Sequence, residues 1–164
     1  MRVNGKVIAS NQGKDVRSHS LLALLPLLLH DNPRDALLIG LGCGISLGAA
    51  ERHPLESIDC VELSPEVVEA TALFSRFNHD ARTDPRLDMI VADGRNHVAL
   101  SGRRYDVIVS QPSNLWIAGM ADLFTAEFFQ SCREHLAPGG LVATWIQAYA
   151  LRQQDVQTIV ATFK

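Results

Sequence analysis

The residues best suited to chemistry in this sequence follow short apolar runs, one after another along the chain. Gly40, Gly42 and Gly44 alternate after the first run, Glu62 ends the second, and Asp93 follows the third. Closely spaced glycines let a backbone turn sharply and let a ligand approach it. A carboxylate at the end of the neighbouring strand can accept hydrogen bonds from both hydroxyls of a ribose. The order and spacing therefore indicate a nucleoside site.

The glycine pattern distinguishes this site from phosphate-binding loops. It reads Gly-x-Gly-x-Gly and has Ile45 next, so it departs from the Gly-x-Gly-x-x-Gly dinucleotide pattern and argues against NAD or FAD. No lysine follows the glycines, which excludes a P-loop. Asp93 is suited to bond an exocyclic amine such as that of adenine. Cys43 is interpreted as a small residue that fits the loop, since no histidine is placed to activate its thiol.

Each of these residues also has an ordinary structural interpretation. A glycine cluster after a strand can be a tight turn, Glu62 can be a charge at a helix entry, and Asp93-Gly94 can be a turn. His19 and His97 are interpreted as solvated or locally bonded. What favours a nucleoside site is the joint pattern, in order, at three successive strand ends.

The elements that must position these residues alternate between strands and helices. Strands are predicted over 36–41, 57–63, 87–91, 105–110 and 141–146, and helices from Ser18 or Ser20 to about 30, over about 45–52, from the Ser64-Pro65 cap onward, over about 125–136, and at the C-terminus. Alternation of this kind predicts an α/β fold with a parallel sheet covered on both faces. We expect one nucleoside-binding domain over 1–164, with 1–10 as the remnant of a β-hairpin unit, and no closing strand after the last helix.

Composition narrows the classes of partner and location. The 164 residues carry a formal charge of −3, which gives no electrostatic reason to expect nucleic acid or an anionic membrane. Three cysteines without a CxxC pair favour reduced thiols in a cytoplasmic protein, and six scattered histidines show no metal-ligand spacing. The most apolar window, 21–29, is interrupted by Pro26 and is too short to span a bilayer.

Several segments together resemble a known family. They are 38–44, 61–69, 84–86, 92–95, 105–109, 123–129 and 136–140. The chain resembles the Rossmann-like class I S-adenosylmethionine-dependent methyltransferases, and more closely the spermidine synthase (polyamine aminopropyltransferase) family. The Asp-Pro-Arg segment at 84–86, Asp93-Gly94, and the Leu-Phe-x-x-Glu-Phe-Phe segment at 123–129 single out the second family.

This resemblance implies a sheet order of 3-2-1-4-5, without the closing antiparallel strands. It implies S-adenosylmethionine or its decarboxylated form as co-substrate, and no metal. Glu62 would hold the ribose, and Asp93 with Gly94 would meet the adenine. The nucleoside-binding residues expected are Gly40, Gly42, Cys43, Gly44, Glu62, Leu63, Asp93 and Gly94.

The residues that differ from the family pattern are those that the resemblance implies for binding the acceptor substrate. Aminopropyltransferases have an acidic residue where this chain has Cys43, an Asp-Ser-Ser-Asp-like run at 111–114, and a Gln-Glu pair where it has His19-Ser20. Burying cationic substrates needs carboxylates. Gln111 and Asn114 are neutral, so they cannot act as the base, but they can hydrogen-bond and orient an acceptor. They are the expected catalytic residues.

Three functions remain open from the sequence. The first is a spermidine synthase-like transferase in polyamine biosynthesis, the second a methyltransferase of a neutral or acidic small molecule, and the third a non-catalytic nucleoside-binding module. The partners expected are a small-molecule acceptor, with a polyamine among the candidates, and a second copy of the chain in a homodimer. Nucleic acid and membrane are not expected as partners.

Overall fold

Five parallel strands form the central sheet. The computed structural model describes residues 2–3, 6–7, 10, 12–112, 119–147 and 151–163. Its sheet strands are β3 (Asp35–Ile39), β4 (Ser57–Glu62), β5 (Leu87–Val91), β6 (Tyr105–Ser110) and β7 (Leu136–Thr144). They are ordered β5-β4-β3-β6-β7, and every neighbouring pair is parallel. Counted from β3, this is the predicted order 3-2-1-4-5, so the fold class is confirmed.

The strand bounds follow the apolar runs closely. β5 and β6 begin and end where the sequence predicts. β3 ends at Ile39 rather than Leu41, and β4 ends at Glu62 rather than Leu63. The shorter β3 leaves both Gly40 and Leu41 in the loop that follows it. The turn over the end of the sheet therefore begins immediately at Gly40.

β7 begins five residues before the prediction. The segment Ala137-Pro138-Gly139-Gly140 was expected to separate helix from strand, but it lies inside the strand as an irregularity in its pairing. Tyr105 pairs with Leu136 and Val107 with Leu141, so the four residues lie opposite a single residue of β6. Pro138 is tolerated at this point because β7 is an edge strand of the five-stranded sheet.

Seven helices connect and flank the strands within the described residues. They are α1 (Gly13–Leu29), α2 (Ile45–Ala50), α3 (Pro65–Ala70), α4 (Ser75–Asn78), α5 (Gly94–Leu100), α6 (Ala126–Glu134) and α7 (Gln153–Phe163). Short 3₁₀ turns occupy Thr71–Phe74, Ala81–Thr83 and Ala121–Phe124.

One predicted helix start needs correction, and one helix was not predicted. α1 begins at Gly13, before the predicted cap at Ser18 or Ser20. Ser18 lies within the helix, where its hydroxyl donates to the Lys14 carbonyl one turn back at 2.9 Å, so it does not act as the cap. Asp93-Gly94 starts α5 instead of a simple turn, since the Asp93 side chain accepts the Asn96 N–H as an N-cap. By contrast, the predicted Ser64 cap with Pro65 at the first helical position is confirmed.

The core lies on both faces of the sheet, as alternate residues of each strand point to opposite sides. On one face, Leu38 and Val107 pack with α1 and α2 residues such as Leu27 and Leu47. On the other, Leu37 and Ile108 pack with Phe128 and other residues of α5, α6 and α7. Because helices cover both faces, the carboxyl ends of the strands are the natural place for a ligand.

A small hairpin precedes the sheet. β1 (Arg2–Val3) pairs antiparallel with β2 (Lys6–Val7), as Asn-Gly between β-capable residues predicts. Asn4 and Gly5 themselves lie outside the described residues. None of the helices described is long and apolar enough to cross a membrane.

Candidate functional site

A cavity of about 250 Å³ lies at the carboxyl ends of all five sheet strands. Its walls come from the last residues of β3 and β4 and from the segments that follow β5, β6 and β7. Seven of the ten residues expected at the site line it: six of the expected nucleoside-binding residues, Gly40, Gly42, Glu62, Leu63, Asp93 and Gly94, and the expected catalytic residue Gln111. The topology thus brings together residues that are up to 71 positions apart (111 − 40) in the sequence.

The loop after β3 forms the floor of the cavity. Gly40 has φ +92°, and a Cβ at this position would lie 2.7 Å from the Gln111 carbonyl oxygen. The Gly40 N–H donates to the Val61 carbonyl at 2.8 Å, so the loop passes tightly between the ends of β4 and β6. A side chain at residue 40 would be strained by the positive φ and would also clash with the Gln111 carbonyl oxygen, which explains why this residue is glycine.

The second half of the loop, at Cys43 and Gly44, is held by contacts with the segment 71–78. Asn78 is buried, and its amide donates to the Cys43 carbonyl and to the Thr71 carbonyl, both at 3.0 Å. A Cβ on Gly44 would lie 2.8 Å from Thr71 Cγ2, and Gly44 does not line the cavity. Gly44 therefore lets the loop pack against the segment 71–78.

The Cys43 thiol points away from the cavity. The side chain is fully buried and packs with Ile45, Val16 and Phe74, and its Sγ lies 3.7 Å from the Ser10 carbonyl oxygen. Burial raises the pKa of this thiol. Cys43 was expected among the nucleoside-binding residues and as a small residue that fits the loop; in the structure the backbone of residue 43 belongs to the loop and the thiol to the core.

The Glu62 carboxylate is held between two backbone groups. Its Oε2 accepts the Leu41 N–H at 2.9 Å, and its Oε1 accepts the Ser64 N–H at 3.1 Å. Each carboxylate oxygen can accept more than one hydrogen bond, so both retain capacity on the cavity side. The carboxylate is thereby fixed in orientation, and this arrangement is suited to accept hydrogen bonds from two adjacent hydroxyl groups of a ligand.

Leu63, Asp93 and Gly94 form the next part of the wall. Leu63 is 57% exposed and lines the cavity, which leaves an apolar surface beside Glu62. One Asp93 oxygen caps α5 by accepting the Asn96 N–H at 2.9 Å. The other oxygen has no hydrogen-bond partner among the described residues. An exposed leucine next to a half-used carboxylate is suited to the face and edge of a purine.

The opposite end of the cavity is lined by neutral polar and aromatic groups. The Gln111 amide lies 3.2 Å from His19 Nδ1 and 2.5 Å from Ser46 Oγ. The His19 ring meets the Trp145 ring edge to face, with 5.6 Å between the ring centres. Burial lowers the pKa of His19, and the charge of Asp15 opposes that shift only in part. The lowered pKa favours the neutral imidazole of His19 over its imidazolium form.

Sequence reasoning missed His19 and Gln147 at this end, and for Trp145 it left a pocket wall and core or loop packing equally open. His19 was interpreted as solvated or locally bonded, yet it lines the cavity together with Trp145 and Gln147. The sequence signal that could have indicated His19 was its position, because His19-Ser20 stands where the family has a Gln-Glu pair. Asn114, the second expected catalytic residue, lies outside the described residues, so its role stays a prediction.

The charged groups along the cavity wall are mostly acidic. Glu62, Asp93 and Asp122 contribute carboxylates, and Arg95 contributes a guanidinium. This balance, taken over the described wall, favours a ligand that carries positive charge. Within the described part of the chain, no group of three or more histidine, cysteine, aspartate or glutamate residues is arranged to hold a metal ion.

Comparison with known proteins identifies the relatives of this architecture. The polyamine aminopropyltransferase of Sodalis glossinidius is 33% identical over 152 residues, which cover 92% of this chain and 53% of that protein. A spermidine synthase solved in complex with the transition state analogue AdoDATO superposes with a TM-score of 0.78 at 25% identity, covering 90% of this chain and 50% of that one. The chain thus spans about half the length of these relatives.

The fold is shared more widely. Human methyltransferase-like protein 13, solved with SAH, superposes with a TM-score of 0.63 at 22% identity, over 94% of this chain and 72% of that one. This likeness shows a common class I methyltransferase-like fold. The family model for the spermine/spermidine synthase domain matches residues 15–164. With nearly the whole sequence matched, the chain belongs to the spermine/spermidine synthase family.

Proposed function

We propose that the cavity binds an S-adenosylmethionine-type nucleoside and that the protein transfers a group from its sulfonium to a small acceptor. The observation that carries this proposal is the fixed Glu62 carboxylate, whose oxygens accept the Leu41 and Ser64 N–H groups and keep acceptor capacity toward the cavity. Two ribose hydroxyls are the donor pair that such a carboxylate suits. The proposal includes a single nucleoside-binding domain over 1–164.

The remaining wall supports the same ligand. Leu63 offers apolar area to a purine face, and the unused Asp93 oxygen offers an acceptor to its exocyclic amine. The glycine loop allows the ligand close to the backbone, and the acidic balance of the wall favours a sulfonium cation. The tail of the ligand would then extend past Gly40 toward Gln111 and His19.

Transfer would proceed by direct displacement. The acceptor lone pair attacks the carbon attached to the sulfonium, the carbon–sulfur bond breaks, and its electron pair remains on sulfur as a thioether. An amine or hydroxyl acceptor then loses one proton. Positioning of the two reactants accounts for most of the rate in such a reaction. Gln111 and Asn114 are proposed to orient the acceptor.

The transferred group is proposed to be aminopropyl from decarboxylated S-adenosylmethionine, following the names of the relatives. The alternative is methyl transfer to a neutral or acidic small molecule. It is favoured by the neutral Gln111 and His19 where cationic substrates would call for carboxylates. A third possibility, nucleoside binding without turnover, requires the same cavity and separates from the others only by product formation.

Calorimetry distinguishes these proposals in steps. Titration with methylthioadenosine, which carries the nucleoside but no transferable cationic group, tests the nucleoside site alone. Titration with S-adenosylmethionine and its decarboxylated form tests preference at the tail. Product formation from decarboxylated S-adenosylmethionine and putrescine supports aminopropyl transfer. Absence of binding by all three nucleosides would refute the proposed function.

A further inference from the structure

Asn78 is a buried polar residue that contacts the glycine loop without lining the cavity. Its Nδ2 donates to the Cys43 carbonyl and to the Thr71 carbonyl, both at 3.0 Å, and its Oδ1 accepts the Asp80 N–H at 3.1 Å. All three partners are backbone groups, and a carbonyl can only accept whereas an N–H can only donate. The partners therefore determine which amide atom of Asn78 faces the loop.

Two glycines one helical turn apart make room for this side chain. Gly44 caps the start of α2 and Gly48 follows four residues later, so both lie on the same side of the helix. A Cβ on Gly44 would lie 3.0 Å from Asn78 Nδ2, and a Cβ on Gly48 would overlap the Asn78 carbonyl oxygen. A side chain at either residue would push Asn78 away from the loop. The two glycines thus form a socket for Asn78.

The backbone after Asn78 has an uncommon conformation. His79 and Asp80 have φ angles of 58° and 56°, in the left-handed region that residues other than glycine seldom adopt. This turn brings the Asp80 N–H back to Asn78 Oδ1. A backbone of this kind persists only where its surroundings determine it. The turn therefore helps to keep Nδ2, the donor atom, directed at the loop.

Thr71 makes a second contact with the same loop. It is fully buried, and its Oγ1 lies 3.1 Å from the Gly42 carbonyl oxygen and 2.9 Å from the Val67 carbonyl oxygen. Gly42 lines the cavity, whereas Thr71 and Asn78 do not. Two consecutive carbonyls of the loop are therefore each met by a side chain of the segment 71–78, outside the cavity.

We propose that Asn78 and Thr71 are positioning residues for the nucleoside, which hold the peptide groups of the glycine loop in the orientation that receives the ligand. This inference rests on the proposed function and adds two residues outside the cavity to it. The loop is also joined to the ribose site, because the Leu41 N–H donates to the Glu62 carboxylate at 2.9 Å. A displaced loop would lose this bond too, so both halves of the nucleoside site depend on the same contacts.

Asn78→Asp removes the donors with little change in shape. A carboxylate oxygen in place of Nδ2 would face the Cys43 and Thr71 carbonyls, acceptor against acceptor, so the loop should move away from residue 78. Native-state hydrogen exchange followed by NMR measures this movement without any ligand. The informative amides are those of Leu41, which donates to Glu62, and of Gly44, which donates to the Leu41 carbonyl at 2.9 Å.

Both loop amides should exchange at least about tenfold faster in Asn78→Asp, the change expected from the loss of one or two hydrogen bonds. The rates are compared with those of the amides of β6, which report unfolding of the whole sheet. If the loop amides keep their protection relative to β6, Asn78 does not hold the loop and the proposal is wrong.

Calorimetry with methylthioadenosine measures the effect on the ligand site, at a temperature where each variant is folded. Asn78→Asp should raise the Kd about tenfold or more. His79→Gly, at an exposed residue whose positive φ suits glycine, should leave the Kd unchanged. Ile159→Ala removes buried apolar volume on α7 and should lower the Tm without changing the Kd. An unchanged Kd for Asn78→Asp would overturn the proposal.

Thr71→Val and Thr71→Ser provide the test if Asn78→Asp does not fold. Valine keeps the shape of threonine and loses the hydroxyl, whereas serine keeps the hydroxyl. We expect the Kd for methylthioadenosine to rise about threefold or more in Thr71→Val and to stay near the unmodified value in Thr71→Ser. Equal affinities of these two variants would refute the positioning role of Thr71. If the unmodified protein binds none of the three nucleosides, the proposed function fails, and hydrogen exchange still decides whether these residues hold the loop.

Discussion

The Glu62 carboxylate accepts the Leu41 backbone N–H at 2.9 Å, which joins the end of β4 to the glycine loop after β3. The same carboxylate accepts the Ser64 N–H at 3.1 Å and so also ties down the start of α3. Glu62, which is proposed to bind the ligand, therefore also holds the glycine loop in place through hydrogen bonds. Because backbone groups hold the carboxylate, its orientation depends little on neighbouring side chains.

Replacing Glu62 should weaken nucleoside binding even when the new side chain has the same shape. In Glu62→Gln, one amide atom is an NH₂ group, which would face either the Leu41 or the Ser64 N–H, donor against donor. Hydrogen bonds to charged groups contribute about 1.5–3 kcal/mol, so the Kd for methylthioadenosine should rise by about tenfold to hundredfold. Isothermal titration calorimetry measures the change.

Glu69→Ala is the matched control for this experiment, because Glu69 is an exposed carboxylate on the adjacent helix α3 that does not line the cavity. Its affinity for methylthioadenosine should equal that of the unmodified protein. Should Glu62→Gln bind methylthioadenosine as tightly as this control does, the assignment of Glu62 to the ribose would be wrong.

Restoring acidic residues at the acceptor end should favour cationic acceptors. Gln111→Asp combined with Asn114→Asp places carboxylates where the family has them, which stabilises a bound diamine. The new charge at residue 111 lies next to His19 and should also raise its pKa, since a nearby opposite charge favours the imidazolium. Putrescine binding to the methylthioadenosine-loaded protein should tighten, as followed by calorimetry, and the NMR titration of His19 should move upward.

The two readouts check each other. Gln111→Asn keeps an uncharged amide at the site and should give no gain in diamine binding. A double aspartate variant whose His19 titration moves upward but whose putrescine affinity does not improve would show that charge at this end does not select the acceptor.

The sequence predicted the sheet well because buried parallel strands leave a strong local signal. Continuous apolar runs such as 105–110 carry it, and the order of the strands followed from the family resemblance. The residues proposed to bind the nucleoside were predictable as cavity-lining residues for the same reason: they sit at strand ends, and the position of a strand end follows from the apolar run itself.

The end of the cavity around Gln111 was harder to predict because it depends on contacts between distant segments. His19 and Gln111 are 92 positions apart, and no local pattern indicates that α1 brings His19 to the end of β6. Cys43 shows the converse limit. The sequence predicts that Cys43 lies in the glycine loop, but the direction of its side chain depends on the packing of Val16 and Phe74 around it. The start of α5 was missed because aspartate followed by glycine is favoured in turns as well, while aspartate is also a favoured helix N-cap.

Gly48→Ala should destabilise the protein although alanine usually favours a helix. Gly48 lies in α2, and a Cβ there would be 2.1 Å from the Asn78 carbonyl oxygen. Asn78 holds the glycine loop through the Cys43 carbonyl, so it cannot move aside freely. Overpacking costs about 1–3 kcal/mol, which exceeds the roughly 1 kcal/mol of helix propensity gained. Thermal unfolding should show a lower Tm.

Gly102→Ala is the comparison for this change, since a Cβ at Gly102 has nothing within 4 Å and the residue lies outside any helix or strand. Its Tm should stay close to that of the unmodified protein. A Tm for Gly48→Ala equal to or above that of Gly102→Ala would mean that α2 shifts away from Asn78 without loss.

Glu51 should make stability fall as the pH rises. Its Oε1 is buried with no hydrogen-bond partner among the described residues, and burial followed by the charge of Asp84 raises the pKa of this carboxyl from 4.5 to about 8, although Arg86 opposes the shift. Between these two pKa values the folded protein keeps a proton that the unfolded chain has released, so raising the pH favours unfolding.

Glu51→Gln cannot ionise at this residue and should escape the loss of stability. Its Tm advantage over the unmodified protein should grow from about pH 5 to about pH 8. Glu56→Gln, at a carboxylate that is 62% exposed and pairs with Arg34, is the control variant and is measured over the same pH range. A constant difference for Glu51→Gln would mean that the Glu51 carboxyl ionises equally in the folded and unfolded states.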